Sequence, residues 1–370
     1  MLTRDGCRRR VERLLDRLDS RLEAVVLARA EHVFYFSNYM PASTNNHHRA
    51  PQYLLIERDG STTLVLDGWA VPEWEQWADF VVDADWQVKS PSGTRAAHAA
   101  EAAAGLLEER GYQSVGIEAS YACGTLARTI AHPVDIEPDV EFMRQVKDSD
   151  ELDTIRAAIR VGEAAQTAAR EILVPGMREI DFYAQVVAEA TMAADEPLVM
   201  MCDFTAGPRR HRANWPTTRQ IEAGDNVILD VFPYVYGYRC DITNTLNAGA
   251  CPTKEQEFAF DVSVEALHSA ERIIRPGISA LEVFEVQDSV FRKANPQWAL
   301  THHAGHAFGL EHPEPPDFRA DVDSPILEGM VIALEPGVYG PSFHGVRVEH
   351  NYLVTAGGVE RLSNHCLGLT

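Results

Sequence analysis

The chain has 370 residues, and 45% of them are hydrophobic. This length predicts two domains, and this composition favours packed hydrophobic cores over disorder. The formal net charge of −22 argues against nucleic acid and against an anionic membrane surface as the main partner.

The first half of the chain predicts an α/β domain. Helical spacing of apolar residues predicts helices over Asp5–Leu22 and Thr94–Arg110, and Gly111 is suited to close the second one. Short apolar runs predict the strands of this half, which are 24–28, 32–39, 53–57, 62–66 and 115–118. We place the boundary to a second domain at residue 146.

In the second half, helices are predicted in two similar pairs, each joined by a Pro-Gly turn. The predicted helices are 149–173, 179–194, 253–274 and 280–294. Ser149 or Asp150 is suited to cap the first of them. The turns at 173–177 and 274–278 align with each other, and strands follow each pair. This order indicates a weak internal duplication, with a site between the two copies.

Two acidic residues lie in an apolar stretch, 227–246, that we predict to form two strands folded back on each other. They are Asp230 and Asp241, eleven residues apart (241 − 230). Burying an ionised carboxylate without a positive partner is costly. The two aspartates therefore predict a shared cation.

Three further residues occur in similar apolar surroundings. They are His306 in the segment AGHAFGL, Glu335 after the predicted strand 330–334, and Glu349 within 346–354. Four carboxylates and one imidazole can hold two divalent ions and neutralise their charge. Such an oxygen-rich set favours Mn, Co or Fe over a zinc ion bound by thiolates.

The motifs D-x10-D, GHxxG, EPGxY and RxE, spread over 150–370, resemble those of the pita-bread metallopeptidase superfamily. This superfamily includes methionine aminopeptidase, aminopeptidase P and prolidase. The first half of the chain resembles the creatinase/prolidase N-terminal domain, which favours the prolidase, aminopeptidase P and creatinase-like branch. The resemblance implies an α+β fold, with a smaller α/β domain over 1–146. A pita-bread catalytic domain with a pseudo-twofold internal repeat would then cover 147–370.

The resemblance also implies a role for each ligand. Asp241 and Glu349 would bridge two divalent metal ions, with Mn or Co first and Fe or Zn as alternatives. Asp230 would bind one ion, and His306 with Glu335 would bind the other. A hydroxide between the ions would attack the scissile carbonyl, with Glu335 as general base.

Other residues match family motifs near the substrate. His302, four residues before the metal histidine (306 − 302), matches a family histidine. Thr243 belongs to the second aspartate motif. Arg347 belongs to the RxE motif, where it would pair with the carboxylates. We also expect Tyr238 to pack against this network, and the resemblance implies a homodimer.

Two histidines that the family usually places near the substrate are absent. Their positions hold Ala213 (230 − 17) and Pro313 (306 + 7). The neighbouring His211 and His312 are candidates to replace them after a small shift of the loop. We therefore group His312 with the candidate catalytic residues and His211 with the substrate-contacting ones.

Three functions remain open at this point. The patterns favour a dinuclear metallopeptidase that cleaves an Xaa-Pro dipeptide or the N-terminal residue of a short peptide. The missing histidines motivate a second hypothesis, a metal-dependent hydrolase or lyase of a small non-peptide substrate such as an amide. A third is a non-catalytic binding module on a peptidase scaffold, although all five ligand positions are filled.

Composition also bears on location. No apolar run reaches the length of about 18 residues that a membrane span requires, and the N-terminal segment lacks the apolar core of a signal peptide. Six scattered cysteines without a CxxC pair exclude a cysteine zinc framework. We predict a cytoplasmic protein without membrane partners.

Overall fold

The computed structural model describes residues 1–40, 52–66, 75–84, 94–208, 215–249 and 251–370. By their internal contacts, these residues form two compact units, Met1–Arg144 and Gln145–Thr370. No helix within the described ranges is long and apolar enough to cross a membrane.

The N-terminal unit contains a mixed sheet with helices. Its strands are β1 (Ala24–Leu27), β2 (Gln52–Glu57), β3 (Thr62–Leu66), β4 (Phe80–Asp83), β5 (Ser114–Ile117) and β6 (His132–Asp135). Its helices are α1 (Arg4–Arg17), α2 (Ala30–Ser37), α3 (Arg95–Arg110), α4 (Gly124–Thr129) and α5 (Glu137–Gln145), the last of which reaches the boundary. The strand order is β4-β3-β2-β1-β5-β6. The strands predicted over 53–57 and 62–66 are present as the antiparallel pair β2 and β3, and the helix predicted over 94–110 is present as α3.

The strand predicted over 32–39 is wrong, because most of that segment belongs to helix α2. The two positions beside β1 in the sheet are taken by β2 and β5. The residues 32–37 are all buried, so the segment lacks the polar face that reveals helical periodicity in a sequence. Asn38 ends the helix in the left-handed conformation with φ 55°, and its N–H donates to the carbonyl of Phe34.

The C-terminal unit repeats the order of two helices followed by strands. Its helices are α6 (Ser149–Ile172), α7 (Glu179–Ala194), α8 (Lys254–Glu271) and α9 (Ala280–Ala294). The strands after the first pair are β7 (Val199–Ala206), β8 (Asn226–Val235), β9 (Tyr238–Arg239) and β10 (Ile242–Asn247). Those after the second pair are β11 (Gly305–Ala307), β12 (Glu314–Asp317), β13 (Val331–Leu334), β14 (Gly337–Val338), β15 (Val346–Arg347), β16 (His350–Thr355) and β17 (Gly358–Arg361).

All four predicted helices of this unit are present, with small differences at their ends. Helix α6 is capped by Asp148 rather than by Ser149 or Asp150. The Asp148 side chain accepts from the backbone N–H of Glu151, and the Glu151 carboxylate accepts from the N–H of Asp148 at 2.8 Å. This reciprocal pair satisfies two backbone donors that a helix N-terminus leaves free.

The strands form two larger sheets and one small one. The first larger sheet has the order β10-β8-β7 with β9 on β8, and the second has the order β12-β11-β13-β16-β17. Strands β14 and β15 pair separately. In the first sheet, Asp203 of β7 lies opposite Asp230 of β8, which in turn lies opposite Thr243 of β10.

Hydrogen bonds join β10 to the segment that contains β15. The N–H of Glu349 donates to the carbonyl of Thr243 at 3.0 Å. The hydroxyl of Thr245 donates to the carbonyl of Arg347 at 2.8 Å and accepts from its N–H at 3.0 Å. These bonds bring the acidic residues of the first copy against those of the second.

Candidate metal centre

The five predicted ligands converge from separate elements. Asp230 lies within β8, and Asp241 directly precedes β10 rather than lying in a strand. His306 lies in β11, Glu335 directly follows β13, and Glu349 lies between β15 and β16. All five side chains are buried.

Close approach at His306 depends on the preceding glycine. Gly305 has φ +149°, and a Cβ added to it would overlap the carbonyl oxygen of Ala333 on the neighbouring strand β13. A residue with a side chain would push β11 away from β13. Gly305 therefore holds His306 beside Glu335, which follows β13.

Three of the carboxylates form one cluster. Asp230, Asp241 and Glu349 each offer an oxygen, and these oxygens lie within 4.8 Å of one another. Each of the three also has one buried oxygen without a hydrogen-bond partner among the described residues: Oδ1 of Asp230, Oδ1 of Asp241 and Oε1 of Glu349. Buried carboxylate oxygens without hydrogen-bond donors require another source of positive charge.

His306 links Asp241 to Glu335. Its Nε2 lies 3.0 Å from Oδ2 of Asp241 and 3.4 Å from Oε1 of Glu335. Its Nδ1 lies 2.9 Å from the carbonyl of Ala307, which can only accept, so Nδ1 carries the proton. In the neutral ring, Nε2 then presents its lone pair towards the carboxylates, as a metal ligand does.

The electrostatics of the carboxylates also call for a cation. Burial raises the pKa of Asp230 well above its ordinary value, although Arg347 opposes the shift. Burial and then Asp241 raise the pKa of Glu349 well above its ordinary value. Burial acts in the same direction on Asp241, but His312 and His306 outweigh it and lower the pKa of that carboxyl. Ionised Asp230 and Glu349 side by side thus need a further positive charge.

The donor set therefore fits divalent metal ions. It contains four carboxylates and one imidazole with an available lone pair, and three of its oxygens are buried without hydrogen bonds. Oxygen and imidazole donors suit Mn²⁺, Co²⁺, Fe²⁺ and Zn²⁺.

Arg347 lies on one side of this cluster. Its Nη2 lies 2.6 Å from Oδ2 of Asp230 and 3.4 Å from Oδ2 of Asp203, and its Nη1 lies 3.8 Å from Oε2 of Glu335. Thr243 contributes a second polar contact, because its hydroxyl donates to Oε2 of Glu349 at 2.7 Å. Arg347 and Thr243 therefore each contact a carboxylate of the cluster.

A cavity of about 540 Å³ opens onto the cluster. Its size is in the range of small-molecule binding sites. The lining residues outside the ligand set include Asp203, Thr205, Ile228, Phe232, Thr301, His302, His303, His312, Pro313, Tyr339 and Arg347. Nε2 of His302 lies 3.1 Å from the hydroxyl of Tyr339, and burial lowers the pKa of His302 to about 4.

His312 reaches the cluster from the loop after β11. Its Nε2 lies 2.6 Å from Oδ2 of Asp241, and its ring stacks on Phe232 with the centroids 4.3 Å apart. The loop is anchored behind the site by a buried ion pair between Lys147 and Glu314 at 2.9 Å. Pro313 also lines the cavity, so the chain presents a proline where the family usually has a histidine.

Two of the predicted site residues lie elsewhere or cannot be placed. The hydroxyl of Tyr238 donates to Oε1 of Glu151 in α6 at 2.8 Å, and Glu151 is not one of the five predicted ligands. Strand alternation turns Tyr238 towards that helix. His211, together with Ala213, lies outside the described residues.

Sequence reasoning did not identify several residues that line the cavity. One of them is His303, whose Nδ1 lies 3.1 Å from Oε1 of Glu335. The sequence does carry a signal for Asp203, because it is an acidic residue in an otherwise mostly apolar stretch. In the structure this stretch is β7, along which buried and more exposed residues alternate. Phe232 gave no such signal, since an aromatic residue in an apolar strand is ordinary.

This fold and this cluster of donors define a metallohydrolase with a buried, oxygen-rich metal centre. The sequence pattern of metallopeptidase family M24 matches residues 153–356, and that of the creatinase/prolidase N-terminal domain matches residues 10–146. The chain belongs to metallopeptidase family M24 and is therefore an enzyme, a peptidase that uses divalent metal. The non-catalytic binding module is not supported.

Relatives span nearly the whole chain. An Xaa-Pro dipeptidase from Pyrococcus horikoshii is 26% identical over 361 residues, which are 96% of each chain. An Xaa-Pro dipeptidase from Pyrococcus furiosus is 30% identical over 232 residues, 62% of this chain and 66% of that one. The crystal structure of the prolidase from Pyrococcus horikoshii OT3 is similar at a TM-score of 0.83 and 25% identity, covering 98% of this chain and 100% of that one. The predicted two-domain architecture with a pita-bread domain is confirmed.

Proposed function

We propose that this enzyme is an Xaa-Pro dipeptidase or Xaa-Pro aminopeptidase that uses two divalent metal ions. The observation that carries the dinuclear part is the cluster of Asp230, Asp241 and Glu349, whose unpaired buried oxygens lie beside His306 and Glu335. Two ions are supported by a second group of donors within 4.8 Å of one another, which contains His306 and Glu335 but none of these three carboxylates. The Xaa-Pro specificity is supported by the relatives that span the chain.

In this proposal Asp230, Asp241, His306, Glu335 and Glu349 would hold the two ions. Bound divalent ions lower the pKa of water so that hydroxide is available at neutral pH.

Glu335 is the residue that takes the proton from the attacking water. Its two oxygens have different surroundings, which allows two roles. Oε1 lies 3.4 Å from Nε2 of His306, on the side of the metal ligands. Oε2 lies 4.0 Å from Nδ1 of His302, a residue of the cavity wall. A general base must reach the water and the ligand set together, and this position satisfies both conditions.

His302 and His312 are the catalytic histidines of the proposal. Both line the cavity, and His302 lies 4.0 Å from Glu335 whereas His312 lies 2.6 Å from Asp241. His312 can donate to Asp241 and, after substrate binding, to the carbonyl oxygen or the leaving group. In this way it would replace the histidine that is absent at Pro313. His211 stays a prediction for the second missing histidine.

Metal analysis followed by reconstitution tests the proposal. The purified enzyme should contain about two divalent ions per chain, as measured by plasma emission spectroscopy. Chelation should abolish hydrolysis of Ala-Pro, and Mn²⁺ or Co²⁺ should restore it. Full activity on Ala-Pro after complete metal removal would contradict the proposal, as would one ion per chain at saturation.

A second candidate function is supported by the cavity wall. Phe232, Pro313 and Asp203 shape the space in front of the metal centre, and two of the usual histidine positions are changed. These differences favour a metal-dependent hydrolase or lyase that acts on a small non-peptide substrate, such as an amide, at the same metal centre. Turnover of several Xaa-Pro dipeptides at rates typical of enzymes would exclude this candidate, whereas a metal-loaded but inactive enzyme would support it.

Three further statements stay predictions of ours: Mn or Co as the native metal, a homodimer, and a cytoplasmic location. Metal content after growth without added metal tests the first. Light scattering of the purified chain tests the second, and cell fractionation tests the third.

A further inference from the structure

The cavity contains one acidic residue that the proposed metal centre does not use. Asp203 lies on β7 directly opposite Asp230 of β8. Its neighbours in sequence, Cys202 and Phe204, are buried on the other face of the strand. Alternation along the strand therefore turns Asp203 to the same face as Asp230, towards the cavity that it lines.

Within the part of the chain that the structure describes, Oδ2 is the oxygen of Asp203 that has a partner. Oδ2 lies 3.4 Å from Nη2 of Arg347, whereas the same guanidinium nitrogen lies 2.6 Å from Asp230. The Asp203 side chain is 27% exposed and that of Arg347 is 11% exposed. Arg347 is therefore directed mainly at the metal ligands, and Asp203, the more exposed of the two side chains, lines the cavity.

The charges around the cavity favour a cation at this position. Under the proposed function, four ligand carboxylates balance two divalent ions. Beyond these groups, the cavity wall also contains the positive charge of Arg347 and the negative charge of Asp203. Because the positive charge is the more buried of the two and is paired with Asp230, the accessible charge at this edge of the cavity is negative. Such a group attracts and orients a cationic ligand.

We propose that Asp203 binds a protonated nitrogen of the substrate's first residue, in the first place its free α-amino group. The inference rests on the proposed function. A scissile carbonyl at the metal centre places the α-nitrogen two bonds away, within reach of a residue beside Asp230. Two carboxylates that share one guanidinium nitrogen lie close enough for that geometry. A basic side chain on the first residue is the other source of the same chemistry.

The test compares the wild type with Asp203→Asn on ligands with and without each nitrogen. Ala-Pro and propionyl-Pro differ only in the α-amine, and Lys-Pro and norleucyl-Pro differ chiefly in the side-chain charge. Binding is measured by calorimetry with slowly hydrolysed thioamide analogues, and turnover is measured with the dipeptides. A charge-assisted hydrogen bond predicts that Asp203→Asn weakens binding of the α-amine ligand about tenfold or more and leaves propionyl-Pro within about twofold.

Each outcome bears on the proposal. A tenfold loss confined to ligands with the α-amine supports the α-amino group, and a loss confined to the lysyl ligand supports the side chain. An equal loss for all four ligands overturns the proposal, as does no loss. Asp203→Glu should retain part of the preference for ligands with the α-amine, because it keeps the negative charge. Glu189→Gln, which removes an exposed carboxylate on α7, is the control and should change nothing.

Two measurements separate this inference from its alternatives. The metal content of Asp203→Asn should stay at the wild-type value. If Asp203 only positioned Arg347 and Asp230, the substitution would instead lower the metal content and would weaken the binding of all four ligands equally. If the wild type hydrolyses no dipeptide, the proposed function fails, and calorimetry still reports whether Asp203 discriminates in favour of the α-amine.

Discussion

His312 contacts Asp241 through Nε2, at 2.6 Å from Oδ2 of the carboxylate. An ionised carboxylate can only accept, so the histidine donates. Stacking on Phe232 and the buried Lys147–Glu314 pair hold the ring and its loop in place. His312 thus orients a predicted bridging ligand from outside the cluster of five.

Replacing His312 with alanine should reduce activity or metal affinity by about 10- to 100-fold, which is typical for residues that orient metal ligands. The reason is the loss of the hydrogen bond that Nε2 of His312 donates to Oδ2 of Asp241. His312→Gln, which keeps a donor, should lose less. Metal affinity is measured by competition with a chromogenic chelator. His268→Ala removes a half-exposed histidine from α8 and is the matched control; equal effects of the two alanine variants would contradict the assignment.

Metal binding should stabilise the C-terminal unit. The unpaired oxygens of Asp230, Asp241 and Glu349 are costly to bury without a cation. At a metal concentration of about 100 times Kd, the stabilisation is about 2.7 kcal/mol. Differential scanning calorimetry should therefore show a higher unfolding temperature with Mn²⁺ than with a chelator.

That shift should be much smaller in Asp230→Asn and unchanged in Asp153→Asn. The latter removes an exposed carboxylate, whose side chain is 80% exposed, from the same unit. A shift of the same size in both variants would show that the stabilising ion binds elsewhere.

Helix α6 packs closely behind the metal ligands at Gly162. A Cβ at this position would lie 2.5 Å from Sγ of Cys240 and 2.9 Å from Cδ1 of Ile242. Gly162→Ala should therefore destabilise the enzyme by about 1–3 kcal/mol through overpacking and displace the adjacent Asp241. Urea unfolding and metal affinity measure the two effects.

Gly105→Ala in α3 is the matched control for this substitution. Nothing lies within 4 Å of a Cβ at Gly105, and the residue is in a helix interior. Alanine there should stabilise by about 0.5–1 kcal/mol, because it has the higher helix propensity. Destabilisation by both variants would mean that packing at Gly162 is not the cause.

The N-terminal unit should lose stability at mildly acidic pH because of His32. Nε2 of this fully buried ring accepts from Arg144 at 2.8 Å, and Nδ1 donates to Glu118, so the geometry requires a neutral imidazole. Burial lowers the pKa of His32 below its ordinary value, although Glu118 opposes the shift.

The direction of this pH dependence follows from the number of protons that the unfolded and the folded chain bind at His32. Below pH 6.5 the unfolded chain binds a proton at His32 that the folded chain does not, so stability is complete above about pH 6.5 and falls below it. The loss by pH 5.5 is at most about 1.4 kcal/mol. Hydrogen exchange of the α2 amides in the full chain, corrected for the intrinsic pH dependence, measures it. His32→Gln should flatten the dependence, and an unchanged slope in that variant would assign it to another group.

The sequence by itself predicted the five candidate metal ligands and most of the elements that carry them. Periodicity, capping signals and the Pro-Gly turns predicted helices α6 to α9, because these are local properties of the chain. Asp230 and Asp241 stood out because carboxylates are rare in apolar strands. Local pattern failed at 32–39, where burial on all sides hides the period that distinguishes a helix from a strand.

Only the tertiary structure decided what surrounds the metal centre. Contacts between the two copies of the repeat bring His312 to Asp241, and packing within the first copy brings the Tyr238 hydroxyl to Glu151 of α6. The same packing places Asp203 in the cavity wall. These relationships depend on which strand pairs with which, and on residues more than seventy positions apart in the case of His312 (312 − 241). No local pattern encodes them.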